Sequence, residues 1–286
     1  MITVKDFTPK ENPQWCPGCG NFAIINSIKA ALAKMQVDPE DVVVVSGVGC
    51  SGKSSHYINT YGFEGLHGRT LPLAAGVKLT NHDLIVIAEG GDGDGYGIGM
   101  GHFVHSLRRN LDLTYIVHDN QIYGLTTGQT SPTTLKGMKT RTNPEGAVEE
   151  PIHPVELALS CGGSFVARAY AGDLPHMVNI IVEAIRHKGF SFVDVLQPCI
   201  TFNKMNTYAW FQERVYKLEE AGHNPKDWNA AMEKAREEIE TNYKKLPIGI
   251  FYKEERPTYW EEAGYPKPLL KLEQKTSVEE DLKALM

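Results

Sequence analysis

The sequence predicts an α/β protein built on a doubly wound parallel sheet, followed by a C-terminal arm that is helical or irregular. Two observations lead to this fold class. Continuous apolar runs rich in β-branched residues recur along the first two hundred residues, and segments with a helical spacing of apolar residues separate them. Strands that are buried on both faces and alternate with helices are typical of parallel sheets.

The predicted elements follow one another in a regular order. Asn21 to Gln36 carries apolar residues three and four positions apart, which predicts an amphipathic helix. Residues 1–200 are therefore predicted to form one α/β domain. Its expected strands cover 42–45, 84–88, 113–117, 164–168 and 190–196, and its further helices 97–110, 154–161 and 173–188.

Residues 201–286 differ in character from this domain. Aromatic and charged residues dominate the segment, which includes a predicted helix from Lys226 to Tyr243. Because the segment is too short for a second doubly wound sheet, we expect an arm that packs on the α/β domain or on a partner subunit.

Composition limits the location and the partners. No stretch approaches the ~20 apolar residues of a membrane helix, and the N-terminus lacks the basic and apolar regions of a signal peptide. The net charge of -6 argues against nucleic acid and anionic membranes, because neither would meet a basic surface. We therefore expect a cytoplasmic protein that binds neither nucleic acid nor membranes.

Chemically distinctive residues follow four of the predicted strands. Cys50 and Lys53 follow the first, Gly91-Asp92-Gly93 the second, Asp119-Asn120 the third and Cys199 the last. The carboxyl ends of parallel strands meet at one edge, where open α/β sheets bind ligands. We therefore expect these residues to form a single site.

The run Gly91-Asp-Gly-Asp-Gly-Tyr-Gly-Ile-Gly-Met-Gly101 indicates a diphosphate site. Glycines let the backbone approach an anion, and the helix that follows offers free N–H groups. Acidic residues in such a loop would repel the ligand unless a cation lay between them. Asp92 and Asn120 offer oxygen ligands suited to Mg²⁺, which would also bind diphosphate oxygens. The alternative is that both side chains only make turn and cap hydrogen bonds.

The cysteines indicate a metal centre. A Cys-x-x-Cys pair in a reducing compartment favours metal binding or redox chemistry over a disulfide. Spacing alone leaves zinc and an iron–sulfur cluster open. Cys161 lies in an apolar run and is expected to pack in the core. The other four of the five cysteines lie in segments rich in glycine or proline: Cys16, Cys19, Cys50 and Cys199.

Two motifs together resemble a known family. Gly91-Asp92-Gly93 followed by Asp119-Asn120 resembles the thiamine diphosphate motif. The wider chain is similar to the β subunit of 2-oxoacid:ferredoxin oxidoreductases over about its first two hundred residues. The resemblance implies the thiamine diphosphate-binding fold, with a domain of the diphosphate type. It is carried by Trp15-Cys-Pro-Gly-Cys-Gly-Asn21, Thr60-Tyr-Gly-Phe-Glu-Gly-Leu-His-Gly-Arg69, Tyr123-Gly-Leu-Thr126 and Cys199.

The resemblance implies three cofactors and the residues that bind them. By it, Asp92, Asn120 and the backbone carbonyl of Ile122 hold Mg²⁺, and the four cysteines other than Cys161 bind a 4Fe-4S cluster. His67 would otherwise be interpreted as a turn histidine beside Gly68. The residues expected around thiamine diphosphate are Gly49, Cys50, His67, Gly91, Asp92, Gly93, Asp94, Asn120, Ile122, Gly124, Leu125 and Thr126.

Two residues are candidates for substrate contact. By the resemblance, Leu125 shapes the substrate pocket. Lys53 lies three residues after Cys50, and its ammonium would meet the carboxylate of a 2-oxoacid as a point charge. The alternative for Lys53 is a solvated surface lysine.

The resemblance also implies an activity and partners. The activity is the oxidative decarboxylation of 2-oxoacids, pyruvate or 2-oxoglutarate or both, to acyl-CoA and CO2, with thiamine diphosphate and coenzyme A. Electrons pass through the cluster to ferredoxin. An α subunit is expected to supply the glutamate that activates the pyrimidine ring, in a heteromer whose contact surface includes Tyr57, Tyr61 and Phe63; a core role is the alternative for these three aromatic residues.

Two other functions remain open from the residues alone. A non-redox thiamine diphosphate-dependent decarboxylase or synthase subunit with a structural zinc site would account for the Gly-Asp-Gly motif. A non-catalytic iron–sulfur electron carrier would account for the cysteines. Neither accounts for both sets of residues together.

Overall fold

A single eight-stranded sheet organises the chain in the computed structural model, which describes residues 1–265, 267–271 and 282–283. The order across the sheet is β2-β1-β3-β4-β6-β5-β8-β7. The first six strands pair in parallel, and β8 pairs antiparallel with β5. The predicted doubly wound fold is therefore confirmed. The strands are β1 (Val42–Ser46), β2 (Tyr61–Glu64), β3 (Ile85–Gly91), β4 (Leu113–Asp119), β5 (Phe165–Tyr170), β6 (Phe190–Leu196), β7 (Val215–Lys217) and β8 (Leu246–Lys253).

Helices cover both faces of the sheet. In β1, Val42 and Val44 point into one apolar core with α1 and α6, while Val43 and Val45 point into the other with α3, α4, α5 and α8. This alternation explains why the strand is a continuous run of valines. The helices are α1 (Asn21–Lys34), α2 (Ser54–Tyr57), α3 (Thr70–Thr80), α4 (Met100–Arg109), α5 (Pro154–Ser160), α6 (Leu174–Arg186), α7 (Tyr208–Gln212), α8 (Trp228–Glu240) and α9 (Tyr259–Glu262).

Three elements of the first two hundred residues were not predicted. Strand β2 lies at the edge of the sheet and all of its residues are exposed, so it lacks the apolar run of a buried strand. Helix α3 contains Pro72 and Gly76, which weaken its helical pattern. The four-residue helix α2 is too short to show a period.

The C-terminal segment is more ordered than the predicted helical or irregular arm. Besides its helices it contains β7 and β8, and β8 extends the main sheet through β5. Pro247 and Gly249 interrupt the apolar run of β8, and residues of these types are depleted in strands. The segment therefore continues the sheet, while its division from the rest at residue 200 stays a prediction.

Among residues 1–265, 267–271 and 282–283, none of the helices combines the length and the apolar character that a membrane span requires.

Candidate active site

The strand ends bring the predicted residues to one edge of the sheet. Ser46 in β1 pairs with Glu89 in β3, Gly91 with His118 in β4, and Asp119 with Leu196 in β6. Because these strands are parallel, the segments that follow them lie together, as predicted.

A cleft of about 690 Å³, open to solvent, lies over this edge. Among its wall residues are all twelve that were predicted to surround thiamine diphosphate: Gly49, Cys50, His67, Gly91, Asp92, Gly93, Asp94, Asn120, Ile122, Gly124, Leu125 and Thr126. The structure thus brings these residues together, and their individual roles stay predictions.

Glycine is required at two positions of the cleft wall. A Cβ on Gly93 would lie 2.1 Å from Tyr123 Cε1, so the tyrosine ring packs directly on the backbone of the loop. Gly49 has a φ of +101°, which L side chains rarely adopt. Gly49 thus permits a backbone turn beside the cleft, and Gly93 permits the close contact with Tyr123.

Asp92 lies in the cleft wall, and two hydroxyls hold its carboxylate. It is 2% exposed. Ser131 Oγ and Thr133 Oγ1 donate to its Oδ2, the latter at 2.8 Å. Burial raises the pKa of Asp92 to about 6, although the two hydroxyls oppose the shift. A cation beside this carboxylate would offset the cost of its burial.

Asn120 lies at the junction of several strand ends. Its Oδ1 accepts from the backbone N–H of Ile122 at 3.1 Å, and its Nδ2 donates to Gln197 Oε1 at 3.0 Å. These bonds fix the side chain and leave the second lone pair of Oδ1 for another partner. Asp92 and Asn120 thus offer oxygen atoms of the kind that Mg²⁺ prefers, and their role as its ligands, with the Ile122 carbonyl, stays a prediction.

Asp94 and His67 form a pair at the mouth of the cleft. Asp94 is buried and accepts from Gly68 N at 2.7 Å, His67 Nδ1 at 2.8 Å and Thr70 Oγ1 at 3.0 Å. These hydrogen bonds hold the 67–70 segment against the helical turns that follow β3. The His67 side chain is 43% exposed, so its ring reaches the solvent side of the cleft.

Four thiols line a second cavity beside the cleft. Cys16, Cys19, Cys50 and Cys199 all contribute to a cavity of about 580 Å³. Its wall shares Cys50, Asn120, Gly124 and Leu125 with the cleft. A Cβ on Gly124 would lie 3.6 Å from Cys199 Sγ and 3.7 Å from Cys50 Sγ, so little more than the Gly124 backbone lies between these sulfurs and the cleft.

The donors of this cavity suit a cluster. Burial raises the pKa of Cys19 to about 12, and the other three cysteines add to the shift. Thiolates crowded in this way need a strongly cationic partner. No three His, Cys, Asp or Glu side chains within 1–265, 267–271 and 282–283 gather closely enough to hold one ion. Cys16, Cys19, Cys50 and Cys199 line one cavity, and four thiolates are a donor set that a 4Fe-4S cluster uses.

Lys53, a candidate for substrate contact, does not line the cleft. It contributes to the wall of the cysteine cavity, and its Nζ donates to the Gln14 carbonyl at 3.3 Å. Its charge opposes the rise in the pKa of Cys50 that burial causes. Cys161 packs against the core formed with α3, α4, α5 and α8.

Several residues of the site were not found from the sequence. Gln197 Nε2 lies 3.4 Å from Cys19 Sγ, and Trp15 Nε1 donates to the Cys50 carbonyl at 2.7 Å. His118, in the cleft wall, contacts Asn21 Oδ1 at 2.9 Å and Glu89 Oε2 at 3.0 Å. The hydroxyl-rich run Thr130-Ser-Pro-Thr-Thr134 was visible, but nothing in its spacing linked it to Asp92.

Comparison with known proteins agrees with this geometry. The family described as thiamine pyrophosphate enzyme, C-terminal TPP binding domain, matches residues 47–195. The family described as the C terminal of the pyruvate ferredoxin oxidoreductase beta subunit matches residues 199–266. Together these matches cover the cleft, Cys199 and most of the C-terminal segment.

Individual relatives are similar along most of the chain. The 2-oxoacid:ferredoxin oxidoreductase subunit beta of Sulfolobus sp is 46% identical over 269 residues, which are 90% of this chain and 86% of that one. The 2-oxoglutarate synthase subunit KorB of Methanocaldococcus jannaschii is 35% identical, over 87% of this chain and 90% of that one.

A solved structure extends the likeness to three dimensions. It is the 2-oxoglutarate:ferredoxin oxidoreductase from Magnetococcus marinus with 2-oxoglutarate, coenzyme A and succinyl-CoA bound, at 35% identity and a TM-score of 0.91. The match covers 100% of this chain and 96% of that chain. With the sequence relatives, the folded sheet and the thiamine-type cleft, it shows that the chain belongs to the beta subunits of the 2-oxoacid:ferredoxin oxidoreductase family.

Proposed function

We propose that this chain binds thiamine diphosphate, Mg²⁺ and a 4Fe-4S cluster, and carries the oxidative decarboxylation of a 2-oxoacid to acyl-CoA and CO2 with ferredoxin as electron acceptor. One observation supports this most directly. The cleft and the cysteine cavity share a wall formed by Cys50, Asn120, Gly124 and Leu125. A non-redox thiamine enzyme does not need four thiols beside its cofactor cleft, and an electron carrier does not need the cleft.

The chain's own residues would bind and orient the thiamine cofactor. Thiamine diphosphate supplies carbanion chemistry at a 2-oxo carbon when it is bound. Asp92, Asn120 and the Ile122 carbonyl would hold Mg²⁺ against the diphosphate. The glycines of the 91–101 loop allow close approach of the backbone, and His67, oriented by Asp94, would contact the cofactor from the mouth of the cleft.

The cysteine cavity is the proposed site of electron transfer. A 4Fe-4S cluster accepts one electron at a time when it is bound. Cys16, Cys19, Cys50 and Cys199 would ligate it, and Gln197 would donate a hydrogen bond to the Cys19 sulfur, a contact of the kind that tunes cluster potential. Cys16 is exposed, which supports ferredoxin access from this side.

Substrate contacts are proposed at the shared wall. Leu125 is 49% exposed and lines both cavities, so its side chain can shape the space beside the cofactor. Lys53 lies on the cysteine side of that wall. Its proposed contact with the substrate carboxylate therefore requires a substrate that reaches past Leu125.

The open cleft supports a second polypeptide at its mouth. Apolar side chains that are normally buried surround this mouth in exposed positions: Leu66 is 79% exposed, Ile98 57% and Val48 38%. Tyr61 and Phe63 on the edge strand β2 are also exposed, whereas Tyr57 is buried against Trp15. We propose that this surface is covered by an α subunit, which supplies the glutamate that activates the cofactor.

The test is reconstitution under anaerobic conditions. The purified chain should contain about four iron and four sulfide per chain, and the variant Cys199→Ala should lose them while Cys161→Ala, the matched control, keeps them. Turnover of pyruvate or 2-oxoglutarate with coenzyme A and ferredoxin should require the α subunit. Stoichiometric zinc without iron in the wild-type chain would contradict the redox function.

A further inference from the structure

The two hydroxyls that contact Asp92 come from the 130–134 segment, which does not line the cleft. Ser131 Oγ and Thr133 Oγ1 both reach Asp92 Oδ2. All three residues are buried. Because both hydroxyls contact the same oxygen, they fix the rotation of the carboxylate.

Thr133 also contacts a second buried acid. Its Oγ1 lies 2.7 Å from Asp119 Oδ1, in addition to 2.8 Å from Asp92 Oδ2. A hydroxyl carries one proton, so Thr133 cannot donate to both carboxylates at once. Among the residues that the structure describes, the salt bridges formed by other buried acids do not include Asp92 or Asp119. Both acids thus have a hydroxyl partner, and Asp119 Oδ1 also accepts from the backbone N–H of Gln121 at 3.2 Å.

The loop that carries the hydroxyls is itself well braced. Thr134 Oγ1 donates to the Gln121 carbonyl at 2.7 Å and accepts from Ser131 N at 2.8 Å. Further along, Thr130 Oγ1 donates to Asn143 Oδ1 at 2.7 Å. These bonds tie the 130–134 segment to the residue that follows Asn120, so the hydroxyls and the proposed Mg²⁺ ligands belong to one connected unit.

We infer that Ser131 and Thr133 are positioning residues that hold Asp92 in the orientation needed to bind the divalent cation of the cofactor. This inference rests on the proposed thiamine diphosphate and Mg²⁺ site. Residues that orient a metal ligand through hydrogen bonds commonly affect affinity without touching the metal. The 130–134 segment is thereby part of the cofactor site, although only Asp92 lines the cleft.

The test measures Mg²⁺ binding directly. The full chain, assembled with its α subunit and stripped of metal with EDTA, is titrated with MgCl2 in a calorimeter at saturating thiamine diphosphate. Thr133→Val removes the hydroxyl while keeping the shape, and should raise the Kd for Mg²⁺ about 10- to 100-fold. Ser131→Ala should raise it in the same direction.

Two controls separate positioning from folding. Thr133→Ser keeps a hydroxyl at this position, and its Kd for Mg²⁺ should lie within about twofold of wild type. Thr140→Val removes a hydroxyl in the same loop that bonds Thr130 Oγ1 at 2.6 Å and does not contact Asp92; it should leave the Kd unchanged even if the melting temperature in EDTA falls.

The outcomes distinguish the positioning role of Ser131 and Thr133 from the cofactor site itself. Wild-type Mg²⁺ affinity in Thr133→Val and Ser131→Ala would overturn the positioning role, and so would an equal loss in Thr140→Val. If Thr133→Val does not assemble, Ser131→Ala decides alone. A wild-type complex that binds neither Mg²⁺ nor thiamine diphosphate would contradict the proposed cofactor site instead.

Discussion

Two pairs of buried acids in this chain have opposite surroundings. Asp194 and Glu238 are joined by a guanidinium: Arg168 Nε donates to Asp194 Oδ2 at 2.9 Å, and Nη1 donates to Glu238 Oε2 at 2.6 Å. Asp92 and Asp119 both contact the hydroxyl of Thr133 instead, and Ser131 Oγ is a second donor to Asp92. Arg168 supplies the cation of the first pair, whereas the second pair lies beside the cleft, where a bound cation would compensate its charge.

The pKa values follow this difference. Burial opposes ionisation of Glu238, but the charge of Arg168 and the bond from His153 outweigh it and lower the pKa. Asp194 is a more balanced case, since burial raises its pKa even beside Arg168. Burial prevails at Asp92, where the pKa rises to about 6, and at Asp119, where it rises well above the ordinary value.

The difference indicates two uses of a buried carboxylate. The Arg168 network joins β5 and β6 to α8, and so fastens the C-terminal segment to the sheet. The Asp92 pair lies at the strand ends, where its burial costs stability that a bound cation would offset. The chain itself compensates the buried charges of the structural pair, whereas the pair at the proposed cofactor site would need a bound cation.

The largest expected effect comes from removing the internal cation. Arg168→Met should lower the free energy of unfolding by about 3 to 5 kcal/mol, because it leaves Asp194 and Glu238 buried without a partner. Urea titration of the metal-free chain measures this. The matched control is Arg236→Met, whose 54% exposed side chain pairs with Glu156 and which should cost less than about 1 kcal/mol. A loss as small as the control's would show that the two pairs of acids do not differ as described.

A smaller effect of opposite sign is expected at the cofactor site. The folded pKa of Asp92 lies above the unfolded value of 3.8, so its contribution to stability is lost as the pH rises through about 6. At pH 8, Asp92→Asn should therefore stabilise the metal-free chain by about 1 to 3 kcal/mol. The same variant should abolish Mg²⁺-dependent binding of thiamine diphosphate in calorimetry. Destabilisation of the metal-free chain would mean that its ionised carboxylate is already compensated.

The smallest expected effect is a pH dependence of metal binding. Mg²⁺ binds the ionised carboxylate, and Asp92 takes up a proton as the pH falls through about 6. The Kd for Mg²⁺ should therefore rise by up to about tenfold per pH unit below that point and level off above it. A Kd that stays constant between about pH 7.5 and 5 would place the metal elsewhere or show that burial does not shift this carboxyl.

The sheet and the motif positions were predictable from the sequence because both depend on local patterns. Strands buried on both faces are written as continuous apolar runs, as in Val42 to Val45, and the glycines and acids that follow them are visible without a structure. Parallel pairing then brings the ends of such strands together by geometry alone. The ends of β1, β3, β4 and β6 met as expected for this reason.

Tertiary structure decided what depends on distant partners. Strand β8 is recognisable only through its pairing with β5, because Pro247 and Gly249 break its pattern. The position of Lys53 beside the thiols, rather than at the cleft, follows from how the turn after β1 packs on Gln14.

The sequence by itself thus determined the fold class, the edge of the sheet that carries the site and the residue types that line it. It did not determine which partners compensate the buried charges. Ser131 and Thr133 lie 39 and 41 positions from Asp92, and Arg168 lies 70 from Glu238. A hydroxyl or a guanidinium has no periodic signature, so only the folded chain shows which carboxylate it reaches.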